Sequence, residues 1–285
     1  MKRQDFRFFH PLRVRWAEVD MQKIVFNAHY LMYFDTAIAD YWRALSLPYE
    51  EAMSLLGGDL YVKKASLEYF GSAHFDDRLH VALRLERIGN SSIVFFGAIF
   101  RNDGLLVTSE LIYVFADPAT QTPKPVPEAL RQVLHDFEKG QPMHVIKTGS
   151  WAELGTDAAQ IRTEVFVREQ KIPLEMEWDE ADQTALHAVS YNQLGQAIGT
   201  ARLIDGGSQT AKIGRMAVKR VLRGSNIGQD LLQALMAYAK QRGCLGVVLH
   251  AQRSAQGFYA RAGFKVRGEP FDEVGIPHIE MFCPL

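Results

Sequence analysis

Asp20-Met21-Gln22-Lys23-Ile24-Val25-Phe26-Asn27-Ala28-His29-Tyr30-Leu31-Met32-Tyr33-Phe34 is the stretch that decides how the first half of this chain folds. Its texture changes midway. From Tyr30 onward the apolar residues Tyr30, Leu31, Phe34, Ala37, Ile38, Tyr41 and Trp42 recur at three-four spacing, which predicts a helix over 27–45 with one buried face. Ser46-Leu47-Pro48 ends it, because proline cannot continue the helical ladder. Asn27 is placed to cap its start. Asp20 falls in the loop leading to that start, near N–H groups that the first turn leaves unpaired and near the positive end of the helix dipole. A carbonyl lodged there would be polarised as in an oxyanion hole, and a carboxylate beside it can attack that carbonyl or activate a water.

Outward from this stretch, residues 6–16 alternate weakly and predict a strand. Four more strands are expected at 61–69, 79–88, 92–101 and 105–116. Gly89-Asn90-Ser91 and Asn102-Asp103-Gly104 separate the last three as hairpin signals. One helix followed by a meander implies an antiparallel sheet wrapped on that helix. The segment 117–127 is then proline-rich, a short helix is expected at 128–138, and Gly140-Gln141-Pro142 follows, so the boundary is expected near 140, with domains at 1–138 and 139–285. Beyond it, helices at 158–169, 227–242 and 255–262 alternate with strands at 185–191, 197–203, 212–218, 247–251 and 279–282, which predicts a mixed α/β sheet. The two halves share no internal repeat, so a simple duplication is excluded.

A length of 285 residues agrees with two domains. Lys and Arg number 32 against 33 Asp and Glu, and up to residue 135 the balance is 15 to 16, so neither half has the basic excess of a nucleic-acid binder. Two cysteines, Cys244 and Cys283, make no disulfide framework. No run approaches the ~18 apolar residues of a membrane span, and the N-terminus shows no uninterrupted apolar segment. A soluble, cytoplasmic protein is expected. No Cys/His spacing suggests a metal site.

The second half carries its own chemistry. Lys212-Ile213-Gly214-Arg215-Met216-Ala217-Val218 reads as a strand, followed by Arg223-Gly224-Ser225-Asn226-Ile227-Gly228 and a long amphipathic helix. A glycine-bearing turn that opens a helix presents backbone N–H groups to an anion such as a pyrophosphate, and Arg220 and Arg223 would add charge. The acidic residues Glu175, Glu177, Asp179, Glu180 and Asp182 read first as a solvated loop. For Glu177 and Asp182, attraction of a cationic amine acceptor is an equal expectation. His250 and His278 offer themselves as bases, though a single histidine is more often structural.

The pattern D-x-x-x-x-V-x-N-A-x-Y-L-x-Y-F from Asp20 to Phe34 resembles the active-site loop and central helix of hotdog acyl-CoA thioesterases of the 4-hydroxybenzoyl-CoA thioesterase type. Ser66-Leu67-Glu68-Tyr69-Phe70, Phe75-Asp76-Asp77-Arg78-Leu79 and Gly89-Asn90-Ser91-Ser92 continue the likeness over about residues 6–132. It implies that Asp20 is the catalytic aspartate, that Asn27 and Tyr30 form the N-x-x-Y start of the helix at the substrate, and that subunits pair into a homo-oligomer through this domain. Many relatives have glycine or histidine around Lys23, which here would reshape the pocket mouth or meet a phosphate or an acidic acyl group.

Residues 158–282 resemble GNAT acyltransferases of the ElaA-like group, through Val165-Phe166-Val167-Arg168-Glu169-Gln170, Glu177-Trp178-Asp179, Gly199-Thr200-Ala201-Arg202-Leu203, the 223–228 turn and Phe258-Tyr259-Ala260-Arg261-Ala262-Gly263-Phe264. The resemblance implies that Met216, Val218, Arg223, Gly224, Ser225, Asn226, Ile227 and Gly228 hold a coenzyme A thioester. It also implies that Tyr259 protonates the departing thiolate. Asn226 stands where the family's turn has a glycine; asparagine tolerates left-handed backbone angles, so the turn is expected to survive. The early part also resembles acyl-homoserine-lactone synthases. The expectation is thus an α+β chain, a hotdog domain followed by a GNAT domain, that hydrolyses an acyl-CoA and transfers an acyl group to an amine. Two alternatives stand beside it: a GNAT domain that only senses CoA esters, and an N-acyl amino-acid synthase.

Overall fold

The computed structural model describes residues 1–207 and 209–285, which form two units, Met1–Met143 and His144–Leu285. The first unit runs β1 (Phe8–Arg13), α1 (His29–Ala44), α2 (Tyr49–Leu56), β2 (Asp59–Tyr69), β3 (Arg78–Ile88), β4 (Ser92–Arg101), β5 (Gly104–Ala116) and α3 (Glu128–Glu138). Its five strands form one antiparallel sheet in the order β1-β3-β4-β5-β2. Helix α1 buries Tyr30, Tyr33, Phe34, Ala37, Ile38, Tyr41 and Trp42 against that sheet. The approach is close: a Cβ on Gly97 would lie 2.4 Å from the Phe34 ring, so only glycine fits there. The expected antiparallel sheet wrapped on a long helix is the fold observed. One position of the predicted apolar face differs, since Leu31 is exposed and Tyr33 takes its place inside. Pro48, read as a stop, is also the residue that precedes α2.

The second unit runs β6 (His144–Gly149), α4 (Trp151–Arg162), α5 (Leu174–Glu177), β7 (Leu186–Asn192), β8 (Ala197–Gly207), β9 (Thr210–Val218), α6 (Ile227–Gln241), β10 (Gly246–Gln252), α7 (Gln256–Arg261), β11 (Lys265–Val266), β12 (Phe271–Glu273) and β13 (Ile276–Pro284). The sheet order is β11-β13-β10-β9-β8-β7-β6, with β12 beside β13. Among the described residues only β9 and β10 pair in parallel, so the sheet is mixed, as expected. Helix α6 packs Leu231, Leu232 and Leu235 with Ile213, Val247 and Leu249 of the sheet. Helix α4 packs Leu154, Ala158 and Ile161 with Val189, Tyr191 and Ala217.

Ile213 and Ala217 are four residues apart on one strand yet pack with different helices. The cause is a bulge: Thr200 pairs with Ala217 and Arg202 with Gly214, so β9 spends one residue more than β8, and Arg215 takes a left-handed φ of 51°. The parallel pairing of β9 with β10 covers only Gly246↔Thr210 to Leu249↔Ile213 and stops just before that bulge. Past this point the two strands part.

Candidate active sites

In the first unit Asp20 sits on a tight turn. Its backbone N–H donates to the Ile24 carbonyl at 2.9 Å, its carbonyl accepts from the Lys23 N–H at 2.9 Å, and its carboxylate accepts from the Gln22 N–H at 2.8 Å. Val19 and Val25 bridge across the base of the turn, which fixes the carboxylate's position. Lys23 lies exposed at the tip with φ 63°, the left-handed region that suits glycine.

Below the turn lies a group that sequence reasoning missed. Glu18, 4% exposed, accepts from the Tyr33 hydroxyl at 2.8 Å, from the Arg15 N–H at 2.7 Å and from Arg15 Nε at 2.7 Å. Burial pulls its carboxyl upward, and the Arg15 and Tyr33 bonds more than offset this, so it titrates below the ordinary range. The Tyr33 phenol is driven up, by burial first and then by Glu18. The Phe26 N–H donates to the Glu18 carbonyl at 2.9 Å, so this buried cluster ties both ends of the Asp20 turn to α1. The available signal was Arg15-Trp16-Ala17-Glu18, an i, i+3 pair at a strand end.

The expected helix cap is corrected. Helix α1 starts at His29 with Ala28 at its N-cap position and no side-chain cap; Asn27 is exposed, and its carbonyl accepts from the Tyr69 hydroxyl at 3.3 Å. Tyr30 is buried, and its hydroxyl oxygen accepts from the Ala73 N–H at 3.0 Å, anchoring the helix start to the segment before β3. Burial pushes its phenol up.

In the second unit the parted strands open a cavity of about 690 Å³. Val165, Phe166, Gly214, Met216, Val218 and Tyr259 are among its walls. The Tyr259 hydroxyl donates to Met216 Sδ at 3.6 Å, which aims the phenol at β9 beyond the bulge. Burial pushes this phenol up to about 12, so it keeps its proton at neutral pH.

Arg223 lines the same cavity, and its guanidinium is gripped by both Glu169 carboxylate oxygens at 2.7 Å each, while Nε donates to the Val218 carbonyl at 3.2 Å. Hydrogen bonding to Arg223 holds the Glu169 carboxyl down. The charge expected of Arg223 is therefore largely offset by a partner. Gly224 has φ 92° and Asn226 φ 66°, so both take the left-handed region, which asparagine tolerates. Ile227 opens α6, and a Cβ at Gly228 would make ordinary contact with Phe258 and Val218. Ser225 Oγ donates to the Leu222 carbonyl at 2.5 Å. Gly224, Ser225, Asn226, Ile227 and Gly228 lie beside the cavity rather than in its wall.

Glu177 and Asp182 have a different task from the one expected. Both are buried, at 2% and 3% exposure, around Arg162, itself 1% exposed. Arg162 Nε donates to Glu177 Oε1 at 2.5 Å and Nη1 to Asp182 Oδ1 at 2.7 Å; Arg202 Nη1 reaches Asp182 Oδ1 at 2.8 Å and Asp179 Oδ1 at 2.5 Å. Trp151 and Trp178 cover the guanidinium, with ring centres 5.6 Å and 4.6 Å away. Asp182 does not line the cavity and cannot meet an acceptor; Glu177 does line it, but two arginines already hold its carboxylate. Desolvation raises the Glu177 carboxyl, whereas for Asp182 the same desolvation is outweighed by Arg162 and Arg202, which hold it low. Glu175 and Glu180 are exposed, as a solvated loop requires.

Comparison with known proteins agrees with this division. Residues 14–134 match the thioesterase-like superfamily, and residues 154–285 match the acetyltransferase (GNAT) domain. An uncharacterized N-acetyltransferase of Bacillus subtilis, YjcF, is 36% identical over 127 residues, 44% of this chain and 89% of the relative. The acyl-CoA thioesterase YbgC of Haemophilus influenzae is 24% identical over 134 residues, 47% of this chain and 98% of the relative. The crystal structure of Escherichia coli ElaA is similar at a TM-score of 0.45 and 29% identity, covering 50% of this chain and 99% of that one. The chain thus belongs to the GNAT acetyltransferases through its second unit, and carries a thioesterase-like hotdog domain in its first.

Proposed function

We propose that this is a bifunctional enzyme of the cytoplasm that hydrolyses an acyl-CoA in its first domain and transfers an acyl group from a coenzyme A thioester to an amine in its second. The observation that carries the second half is the parting of β9 and β10 after Leu249↔Ile213, which leaves the β10-facing edge of residues 214–218 open above a cavity that Tyr259 and Arg223 also line. Unpaired strand edges offer N–H and C=O groups to the amides and carbonyl of an acyl-pantetheine chain. Met216 and Val218 would flank that chain, and the Arg223–Gly228 turn with the start of α6 would receive the pyrophosphate. The amine attacks the thioester carbonyl, and the C–S bond breaks. Tyr259, still protonated, donates its hydrogen bond to the departing sulfur. A phenol near 12 is a weaker acid than a thiol of ~8.5, so transfer of the proton is coupled to the amide nitrogen losing its own.

In the first domain Asp20, fixed by the Gln22 N–H, serves as nucleophile or as the base that activates water, with the N–H groups at the start of α1 around His29 and Tyr30 polarising the carbonyl. Lys23 stands at the mouth of that site. Pairing of two copies through this domain is supported by β2, an exposed edge strand of 11 residues, and by the exposed apolar side chains Trp16, Met21, Phe26, Tyr69 and Phe70.

The test is free-thiol release from aromatic, short-chain and long-chain acyl-CoAs by wild type, Asp20→Ala and Tyr259→Phe, with and without an amine mixture. Amine-independent release lost in Asp20→Ala alone supports the hydrolase; an amine-dependent increment lost in Tyr259→Phe alone supports the transferase. Release untouched by Asp20→Ala removes that residue from the mechanism, and no increment with any amine leaves a domain that only binds CoA esters.

A further inference from the structure

Leu249 is the last residue of β10 paired with β9, and His250 is the next one, so its ring stands where the two strands begin to part. It lines the cavity with Gly214 and Lys212 of the neighbouring strand. A Cβ built on Gly214 meets nothing within 4 Å, so the floor beside His250 is open space. An acyl carbon wedged between the parted strands would have this imidazole at its acceptor side. We propose that His250 is the group that takes the proton from the incoming amine; the proposal rests on the transferase reading above.

Four side chains from three strands set the ring. From β12, Glu273 Oε2 lies 3.2 Å from Nδ1; from β9, Lys212 Nζ lies 3.4 Å from each ring nitrogen; from β13, Glu280 Oε2 lies 3.9 Å from Nε2 and is itself held by Arg267 at 2.5 Å. Phe271 closes the remaining side, with ring centres 4.8 Å apart. With Nδ1–H donated to Glu273, the lone pair is on Nε2, the nitrogen that accepts. The imidazole thus faces the carboxylates of Glu273 and Glu280 and the ammonium of Lys212. An acceptor arriving as R–NH3⁺ gives one proton to Nε2 and attacks as R–NH2. The C–N bond forms, the C–S bond breaks, and the thiolate takes the Tyr259 proton. The adduct nitrogen's second proton restores the phenol, and His250 returns the first to solvent, so the turnover releases amide, free thiol and one proton.

The experiment is amine-dependent CoA release from acetyl-CoA between pH 6 and 10, with acetyl-CoA Kd measured by calorimetry, for wild type, His250→Gln, Glu273→Gln and Lys212→Met. His250→Gln is expected to lower kcat by ~100-fold with Kd unchanged and to remove the acidic limb of the profile. Glu273→Gln should move that limb to lower pH and Lys212→Met to higher pH, displacements that a purely structural histidine would not produce. A His250→Gln enzyme within about threefold of wild type and with the same limb overturns the proposal. If His250→Gln fails to bind acetyl-CoA, the other two variants decide: opposite displacements support the proposal, and a limb unmoved in both overturns it. A wild type that releases no CoA with any amine sinks the transferase reading and this proposal with it, an outcome distinct from an active wild type whose His250→Gln variant is equally active.

Discussion

Replacing Asp182 by Asn tests whether the acidic run is structural. Three guanidinium N–H groups converge on this carboxylate: Arg162 Nη1 at 2.7 Å and Arg202 Nη1 at 2.8 Å on Oδ1, and Arg162 Nη2 at 3.1 Å on Oδ2. An asparagine keeps one acceptor oxygen and turns an NH2 toward the third N–H, donor against donor. It also leaves Arg162, Arg202 and Arg215 facing only Glu177 and Asp179, so one buried positive charge is uncompensated. Breaking a buried pair in this way costs about 3–5 kcal/mol, and the surviving Arg162–Glu177 and Arg202–Asp179 contacts place the value at the low end, about 3 kcal/mol. For a unit of this size each kcal/mol moves the unfolding midpoint by about 4 °C, so Asp182→Asn should lower it by about 12 °C. Scanning calorimetry of the full chain without CoA ligands reads this, with near-ultraviolet dichroism reporting on Trp151 and Trp178, which both contact Arg162. Glu175→Gln, at an exposed site, is the control and should stay within about 0.5 kcal/mol. A drop of less than about 2 °C for Asp182→Asn, together with a raised amine KM, would refute the structural assignment.

The same network sets an acid limit. Asp179 and Asp182 have carboxyls held low by their arginines, so the stability they contribute is complete above their unfolded value of ~3.9 and is lost as pH falls through their folded values. Unfolding of the second unit should therefore begin below about pH 4, and Asp182→Asn should flatten that loss; a curve of unchanged slope would contradict this. Lys23→Gly relieves a left-handed lysine and is expected to raise the stability of the first unit by up to ~1 kcal/mol in urea titration; a simultaneous rise in KM for acyl-CoA would show that the ammonium also meets the substrate. Glu169→Gln removes the clamp on Arg223 and should strengthen acetyl-CoA binding several-fold at low salt and less at high salt, whereas equal Kd values at both would mean that Arg223 does not face the phosphates.

Much of the frame was legible because its signals are local. The periodicity from Tyr30 to Trp42 marked α1, and glycine-containing turns marked the hairpins of β3, β4 and β5. Signals that compete with stronger neighbours were lost. Pro48 ended one helix and so hid α2, whose own end is marked by the left-handed Gly57. Strand β6, short and half exposed, carried no clean alternation, and the following α4 begins at Trp151 rather than near 158 although Ser150-Trp151-Ala152-Glu153 spells a capping box. Within the candidate sites, Asp20 and Tyr259 were readable from motifs. Glu18 was not, because its meaning comes from burial against Tyr33, and neither were the partners of Arg162, which are brought to it from 15 and 20 residues away.

The acidic run and the parted strands are one device. Arg215 is the bulge residue that ends the pairing of β9 with β10, and a non-glycine residue in the left-handed region costs about 1–2 kcal/mol. Its guanidinium reaches Asp179 at 3.1 Å and Glu177 at 3.6 Å, and those carboxylates are held in turn by Arg202 and Arg162. Charged contacts from the segment before β7 thus offset the backbone cost at the one position where β9 must leave its neighbour. Three carboxylates of the acidic run are thus engaged by arginines, one of which sits at the bulge where β9 leaves β10. Under the proposed reaction an acceptor would instead meet Lys212, His250 and Glu273, which line the cavity from three different strands and share no motif.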